Sequence, residues 1–395
     1  MINLFKKKRI YLDNAATTPV DKRVKKIIDE YGRKNFGNPG SIHKEGVEAK
    51  NALENARKKV AGFFMCSPDE VVFTSGGTES NNLAITGFFN ALESFGTPGS
   101  KWHAVTTKIE HASVLDVFRE LEKNGLDVTY LGVDKNGAVD PKEVKGAMRE
   151  NTAMVSVMYA NNETGVIQPI REIAKIIREH NKNLSSGNPS VVFHTDAAQA
   201  LNYLEMDTRK LHTDLISASG SKIYGPKGAG MLYIKKGTPI EHILYGGKQE
   251  RGFRAGTENV AGIVGCGEAV KIAAEIKEKE IVRMEELREY FVEKIKKEFP
   301  KAVFNGAGEI LLNMVNVSFP GIESEELILR LDAKGIAVAS RSACESDKDA
   351  SYVISALGEG HYPENAIRFS MGRNTTKKDL NYVIKCLHNI FKLIK

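Results

Sequence analysis

Only four cysteines, Cys66, Cys266, Cys344 and Cys386, occur in 395 residues, and no two of them form a C-x-x-C pair. So few thiols in so long a chain argue against a disulfide framework. H-E-x-x-H is absent, which removes the commonest helical zinc signature. No run approaches the ~18 apolar residues that a membrane helix needs, so no membrane partner is expected. The start, MINLFKKKRIYLD, carries a basic cluster with no apolar stretch behind it. No secretory signal is expected from it, and the cytoplasm is the default compartment. The net charge is only +6. Lysines alternate with glutamates, as in KEKEIVRMEELREYFVEKIKKEF, which reads as a solvated helix face and not as a nucleic-acid surface.

What is present is ordinary for a globular protein: 42% hydrophobic and 27% charged residues. The length favours two domains. Between about 45 and 260, short apolar runs (EVVFTSG, WHAVTTK, VTYLGV, AMVSVMY, VVFHTDA, LISASG, GMLYI) alternate with helical stretches such as REIAKIIREHNK. That alternation predicts an α/β fold on a large, mainly parallel sheet. Beyond about 265 a long amphipathic helix leads to strand-like LLNMVNVSF and IAVAS, the texture of a smaller α+β domain. The last segment, DLNYVIKCLHNIFKLI, has helical spacing and should pack on that domain.

Ligands of open parallel sheets bind beyond the carboxyl ends of the strands, so polar residues directly after strands are the candidates. Thr74, Ser75, Gly76, Gly77 and Thr78 form a strand–turn–helix passage whose free N–H groups suit a phosphate. The pattern there is neither G-x-G-x-x-G nor a Walker A loop, so neither a dinucleotide nor ATP is implied; an ordinary capped helix is the competing reading. Asp196 ends a very apolar strand, where a carboxylate needs a partner; it reads either as a helix cap or as a counter-ion for a protonated ring nitrogen. Lys222 stands among Ser219, Gly220, Ser221 and Gly225, small residues that leave room for a flat ring. Lys227, in a Gly-Pro turn, reads as solvated. An acid for a pyridinium, an imine-forming lysine and a phosphate cup are the parts of a pyridoxal 5′-phosphate site. His111, following a strand, reads either as a structural or exposed histidine near a helix start or as a ring that stacks on the cofactor and moves protons. Asn162, in NNETG, could hold a ring hydroxyl or simply form a turn. Cys344 lies in a polar segment, ASRSACESDKDASYV, whereas Cys266 and Cys386 sit in apolar helical patterns. Neighbouring Arg341 and Lys348 favour a thiolate at Cys344, and Glu345, Asp347 and Asp349 oppose it. Arg368 carries a planar fork suited to a substrate carboxylate or to a salt bridge.

Ten segments taken together resemble cysteine desulfurases of the NifS/IscS-like group, fold-type I pyridoxal-phosphate enzymes of class V: YLDNAATTPV, FGNPGSIH, FTSGGTESNNLAI, EHASVL, NNETGVIQ, TDAAQ, SGSKIYGPKG, RGFRAGTEN, SRSACES and IRFSMGR, in that order. The resemblance runs nearly end to end. It implies a large cofactor-binding domain over 15–262 and a small domain made of 1–14 and 263–395. It also implies that Lys222 bonds the cofactor aldehyde and shuttles protons, that Asp196 pairs with the pyridine nitrogen, and that His111 stacks on the ring. Asn162 and Gln199 would contact the ring hydroxyl. Thr78 and Ser219 would bind the phosphate, with Thr257 supplied from the second subunit of a homodimer, and Gly77 and Ser221 are further cofactor-binding candidates beside them. Asn38 and Arg368 would hold the carboxylate of L-cysteine, and Cys344 would take its sulfur as a persulfide, leaving alanine. A sulfur-acceptor protein, in iron–sulfur assembly or in thiolation, would follow.

Three positions depart from that pattern. Ser221 stands where the family usually has histidine; a hydroxyl can still donate one hydrogen bond, but the charge is lost. Arg341 occupies a usually small place beside the cysteine loop. NKNLSSGNPS (181–190) is longer than usual and reads as a surface loop. The chain stops soon after its last helix, without the extension by which IscS-like members dock scaffolds, so those partners are not carried over. Two other readings compete. A class V relative acting on another small amino acid would not need Cys344, and a non-catalytic scaffold would not need Lys222, Asp196, His111 and Cys344 together.

Overall fold

The computed structural model describes residues 9–95, 101–185, 189–341 and 350–394. After a two-residue strand β1 (Ile10–Tyr11), the chain builds a seven-stranded sheet from β2 (Val71–Thr74), β3 (His103–Thr107), β4 (Asp127–Leu131), β5 (Thr152–Ser156), β6 (Val192–Asp196), β7 (Leu215–Ser219) and β8 (Gly230–Ile234). The spatial order is β2-β8-β7-β6-β5-β3-β4. All neighbours are parallel except β8, which runs antiparallel to both β7 and β2. Every residue of β3, β5, β6 and β7 is buried, as apolar runs without alternation predict for a sheet covered on both faces. β4, at the edge, is the half-solvated exception. The seven runs read from the sequence are these seven strands.

Helices cover the sheet with one apolar stripe each. In Ile170–Lys182 the buried residues are Ile170, Ile173, Ala174 and Ile177, the i, i+3, i+4, i+7 pattern of a surface helix. The long helix Val260–Glu298 serves two cores. Its first half (Ile263, Val264, Ala269, Val270, Ile272) packs into the sheet-side core with Val24, Leu53 and Val60. Its second half (Met284, Leu287, Phe291, Ile295) packs into a second core. That core is built on β10 (Met314–Ser318), lying antiparallel between β9 (Val303–Phe304) and β12 (Ala366–Ser370). The segment IAVAS forms only a two-residue strand, β11 (Ile336–Ala337), parallel to β1. Ile10 and Leu12 join this second core with the C-terminal helix Lys377–Ile394. The expected division at 262/263 falls inside the first turn of the long helix.

The consequence for function is directional. Because β2, β3, β5, β6 and β7 point the same way, the segments after Thr74, Thr107, Ser156, Asp196 and Ser219 emerge along one edge of the sheet.

Candidate active site

A cavity of about 400 Å³ opens at that edge, lined by residues from five post-strand segments, from the 15–16 turn and from β12. Gly77, Thr78, His111, Asn162, Asp196, Gln199, Ser219, Ser221, Lys222 and Arg368 all contribute to its wall. Thr257 and Asn38 are exposed and outside that wall; Asn38 Oδ1 instead accepts the N–H of Gly40 at 2.9 Å. Cys344 lies in 342–349, outside the described residues.

Lys222 ends a single 3₁₀ turn that follows β7 directly. Gly220 permits that turn: a Cβ there would lie 2.9 Å from the Ala229 carbonyl and 3.2 Å from Cys266 Sγ. The lysine is not left bare, as its small neighbours had suggested. Its Nζ donates to the carbonyls of Ala15 at 2.7 Å and Ala16 at 2.6 Å, and Gln199 Nε2 donates to the same Ala15 carbonyl at 3.0 Å. Lys227, expected in solvent, is exposed but also lines the cavity, with Nζ on the Thr18 carbonyl at 3.2 Å.

Asp196 is buried, and both of its oxygens are engaged: Oδ1 accepts from Ala198 N–H at 2.9 Å and Oδ2 from Asn81 Nδ2 at 2.8 Å. Two accepted bonds leave a carboxylate room for a further donor. Asn162 Oδ1 is buried with no partner among the described residues. A buried acceptor left in that state calls for a donor, which a ring hydroxyl in the cavity would supply. The helix Gly77–Phe95 starts at the cavity wall, beside the hydroxyls of Ser219 and Ser221, so N–H and O–H donors converge there. The residues present therefore fit pyridoxal 5′-phosphate at its ring nitrogen, ring hydroxyl and phosphate.

Glu79, in the first turn of that helix, was not singled out from the sequence. Its carboxylate accepts Ser75 N–H at 2.8 Å and pairs with Arg254 at 2.9 Å. Burial pulls its pKa up, but these bonds prevail and hold it below the usual carboxylate range. Arg368 is more committed than expected. One terminal nitrogen donates to the Asn162 carbonyl and the other to Asp13, both at 2.8 Å; Nε alone has no partner among the described residues. Arg341 is buried and pairs with Glu325 at 3.0 Å. Cys266 is fully buried, and burial pushes its thiol up to about 12, so it is inert. Cys66 is raised to about 12 as well, by burial and then by Glu70.

The aminotransferase class-V model matches residues 10–383. The chain belongs to this family. Among the curated members, the cysteine desulfurase IscS of Dictyoglomus turgidum is 43% identical over 392 residues, covering 98% of this chain and 96% of the relative. A solved NifS-like protein superposes with a TM-score of 0.89 at 36% identity, over 98% of this chain and all of its own. A structure titled SspA in complex with cysteine gives 0.77 at 33% identity, over 92% and 99%. The two solved structures share the architecture built above.

Sequence reasoning also passed over Asn81 and Ser113. A signal for Asn81 exists: it precedes Ala84, Ile85 and Phe88 on the buried stripe of its helix, where a polar residue needs a reason.

Proposed function

We propose that this chain is a cysteine desulfurase that uses pyridoxal 5′-phosphate to remove sulfur from L-cysteine, releasing L-alanine and leaving a persulfide on Cys344. The observation that carries the reading is one cavity that joins Lys222, Asp196, His111 and the unpartnered oxygen of Asn162 at the carboxyl edge of the sheet.

Bound there, the cofactor would supply an electron sink that weakens bonds around the substrate's α-carbon. The protein's own part follows from its contacts. Lys222, whose amine is held on the carbonyls of Ala15 and Ala16, would be the group that bonds the cofactor aldehyde, and the same amine would carry the proton returned to the substrate. Asp196, fixed by Ala198 and Asn81, would hold a proton on the ring nitrogen. Asn162 Oδ1 would accept from the ring hydroxyl. Ser219 and Ser221, with the helix start at Gly77 and Thr78, would hold the phosphate, and Lys227 would add positive charge at the same wall. Arg368 offers Nε, and gains a full fork for the substrate carboxylate by exchanging Asp13. Thr257 serves a second copy of the chain in a homodimer. The cytoplasmic transfer of persulfide sulfur to an acceptor protein, for iron–sulfur assembly or thiolation, completes the reading.

The deciding experiment is mass spectrometry of the pyridoxal-phosphate-loaded protein after brief exposure to L-cysteine without reductant. One added sulfur on the Cys344 peptide with stoichiometric alanine is expected. An intact loaded protein that releases no alanine and gains no sulfur would move the assignment to another amino-acid substrate.

A further inference from the structure

We infer that Asn81 and Ser113 are positioning residues that hold His111 with its ring proton on Nε2 and tie it to Asp196 through one chain of hydrogen bonds. Asn81 Nδ2 lies 2.8 Å from Asp196 Oδ2 and 2.8 Å from Ser113 Oγ. Ser113 Oγ lies 2.8 Å from His111 Nδ1, and Ser113 N–H donates to that same nitrogen at 3.1 Å. Asn81, Ser113 and Asp196 are all buried.

The bond directions follow from the donors and acceptors present. Asp196 Oδ2 is taken up as an acceptor, so the amide nitrogen of Asn81 faces it. That nitrogen has two hydrogens; one goes to Asp196, the other to Ser113. Ser113 Oγ therefore accepts from Asn81, which leaves its own hydrogen available to His111. The Ser113 hydroxyl hydrogen and, at a longer 3.1 Å, the Ser113 N–H both point at Nδ1, so the bare form of that nitrogen is favoured, with the closer hydroxyl carrying the larger share. Nδ1 is thus the bare nitrogen, and the neutral ring carries its proton on Nε2. Glu79, Asp196, Lys222, Lys227 and Arg368 around the cavity, and Glu110 next in the chain, act on the ring's charge; the hydrogen-bond chain sets its tautomer.

Asn81 is poorly explained as core. It is fully buried on an apolar stripe, and its Oδ1 has no partner among the described residues. An aliphatic side chain would serve packing without stranding an acceptor. What the amide alone provides is two donors at a branch point between an anion and a hydroxyl. The inference rests on the proposed function only for the cofactor ring on which His111 would stack; the tautomer itself is a property of the protein.

The test is nitrogen NMR of the full chain labelled with ring-¹⁵N histidine, first without cofactor and then loaded, with His111→Gln to assign the signal. The expected result is a bare Nδ1 and a protonated Nε2 in both forms. Ser113→Ala and Asn81→Leu should each raise the minor Nδ1–H tautomer several-fold, and Ser113→Thr, which keeps the hydroxyl, should restore the native ratio. A wild-type His111 protonated at Nδ1 would overturn the inference, whether or not the variants fold. So would native tautomer ratios in both Ser113→Ala and Asn81→Leu. Because the cofactor-free protein gives the readout, absence of desulfurase activity would leave this result standing.

Discussion

Ser219 Oγ and Ser221 Oγ lie 2.9 Å apart, on either side of Gly220, in the turn that delivers Lys222. One hydroxyl of the pair donates to the other, so the two have a single hydrogen left for a phosphate oxygen. A histidine at 221 would leave Ser219 free to donate and, when protonated, would add a charge-assisted bond. Such bonds contribute about 1.5–3 kcal/mol, roughly ten-fold or more in affinity. Ser221→His is therefore expected to retain pyridoxal phosphate longer on dialysis, followed by visible absorbance. Equal or faster loss would show that the serine pair is not the weak point of the cup.

The two lysines of SKIYGPK are expected to behave differently although both reach the cavity. Lys222 is half-buried, with its amine on the Ala15 and Ala16 carbonyls. Lys227 is exposed. Borohydride reduction of the loaded protein followed by peptide mass analysis should place the cofactor on Lys222 only. Lys222→Ala should abolish the labelling, whereas Lys227→Ala should keep it with a modest loss of cofactor affinity. Label on Lys227 in the wild type would reverse the assignment.

Much of this was legible from sequence because of where parallel sheets keep their chemistry. Strands buried on both faces read as uninterrupted apolar runs, and the polar residues following them, at 78, 111, 162, 196 and 222, needed no knowledge of packing to be noticed. What was not legible came from backbone or from distance. The carbonyls of Ala15 and Ala16 have no sequence signature, and they meet Lys222 across 207 and 206 residues. The β1–β11 pair is two residues long, too short for any period to show. The commitment of Arg368 to Asp13 depends on β12 lying beside the chain start, which no local pattern foretells.

The loop that carries Thr257 is anchored by an ion pair deep in the protein. Glu250 accepts both terminal nitrogens of Arg57 at 2.7 Å and the Phe73 N–H at 2.8 Å, with the two side chains 3% and 2% exposed. Glu250 and Arg251 both adopt positive φ, 46° and 57°, unfavourable for non-glycine residues and held only by such surroundings. Glu250→Ala would strand a buried guanidinium, and breaking such a pair costs about 3–5 kcal/mol. A melting temperature lower by several degrees is expected, with weaker cofactor retention because Thr257 loses its support. An unchanged melting temperature would mean that water or Glu54, already 3.2 Å from Arg57, replaces the lost partner.

Glu110 makes the stability of this fold depend on pH in an unusual direction. It is fully buried beside His111; its Oε1 accepts from Thr107 Oγ1 at 2.8 Å and Met158 N–H at 2.9 Å, while Oε2 has no partner among the described residues. Burial, with a smaller contribution from Asp196, pushes its pKa from 4.5 up to about 8, against the pull of those hydrogen bonds. The folded protein therefore keeps a proton that the unfolded chain releases. The associated stabilisation is complete below pH 4.5 and declines as pH rises through about 8. Buried His194 acts in the opposite sense: burial lowers it to about 4, so its contribution is present above 6.5 and lost as pH falls toward 4. Comparing Glu110→Gln with wild type cancels the histidine, since it is common to both. Glutamine also reproduces the shape and neutrality of the protonated acid. The variant should gain stability relative to wild type between pH 5 and pH 8.5, by on the order of a few kcal/mol. Thermal melts of both proteins at the two pH values give the difference directly. Parallel pH profiles would show that Glu110 is ionised in the folded state, and that an unseen donor reaches Oε2.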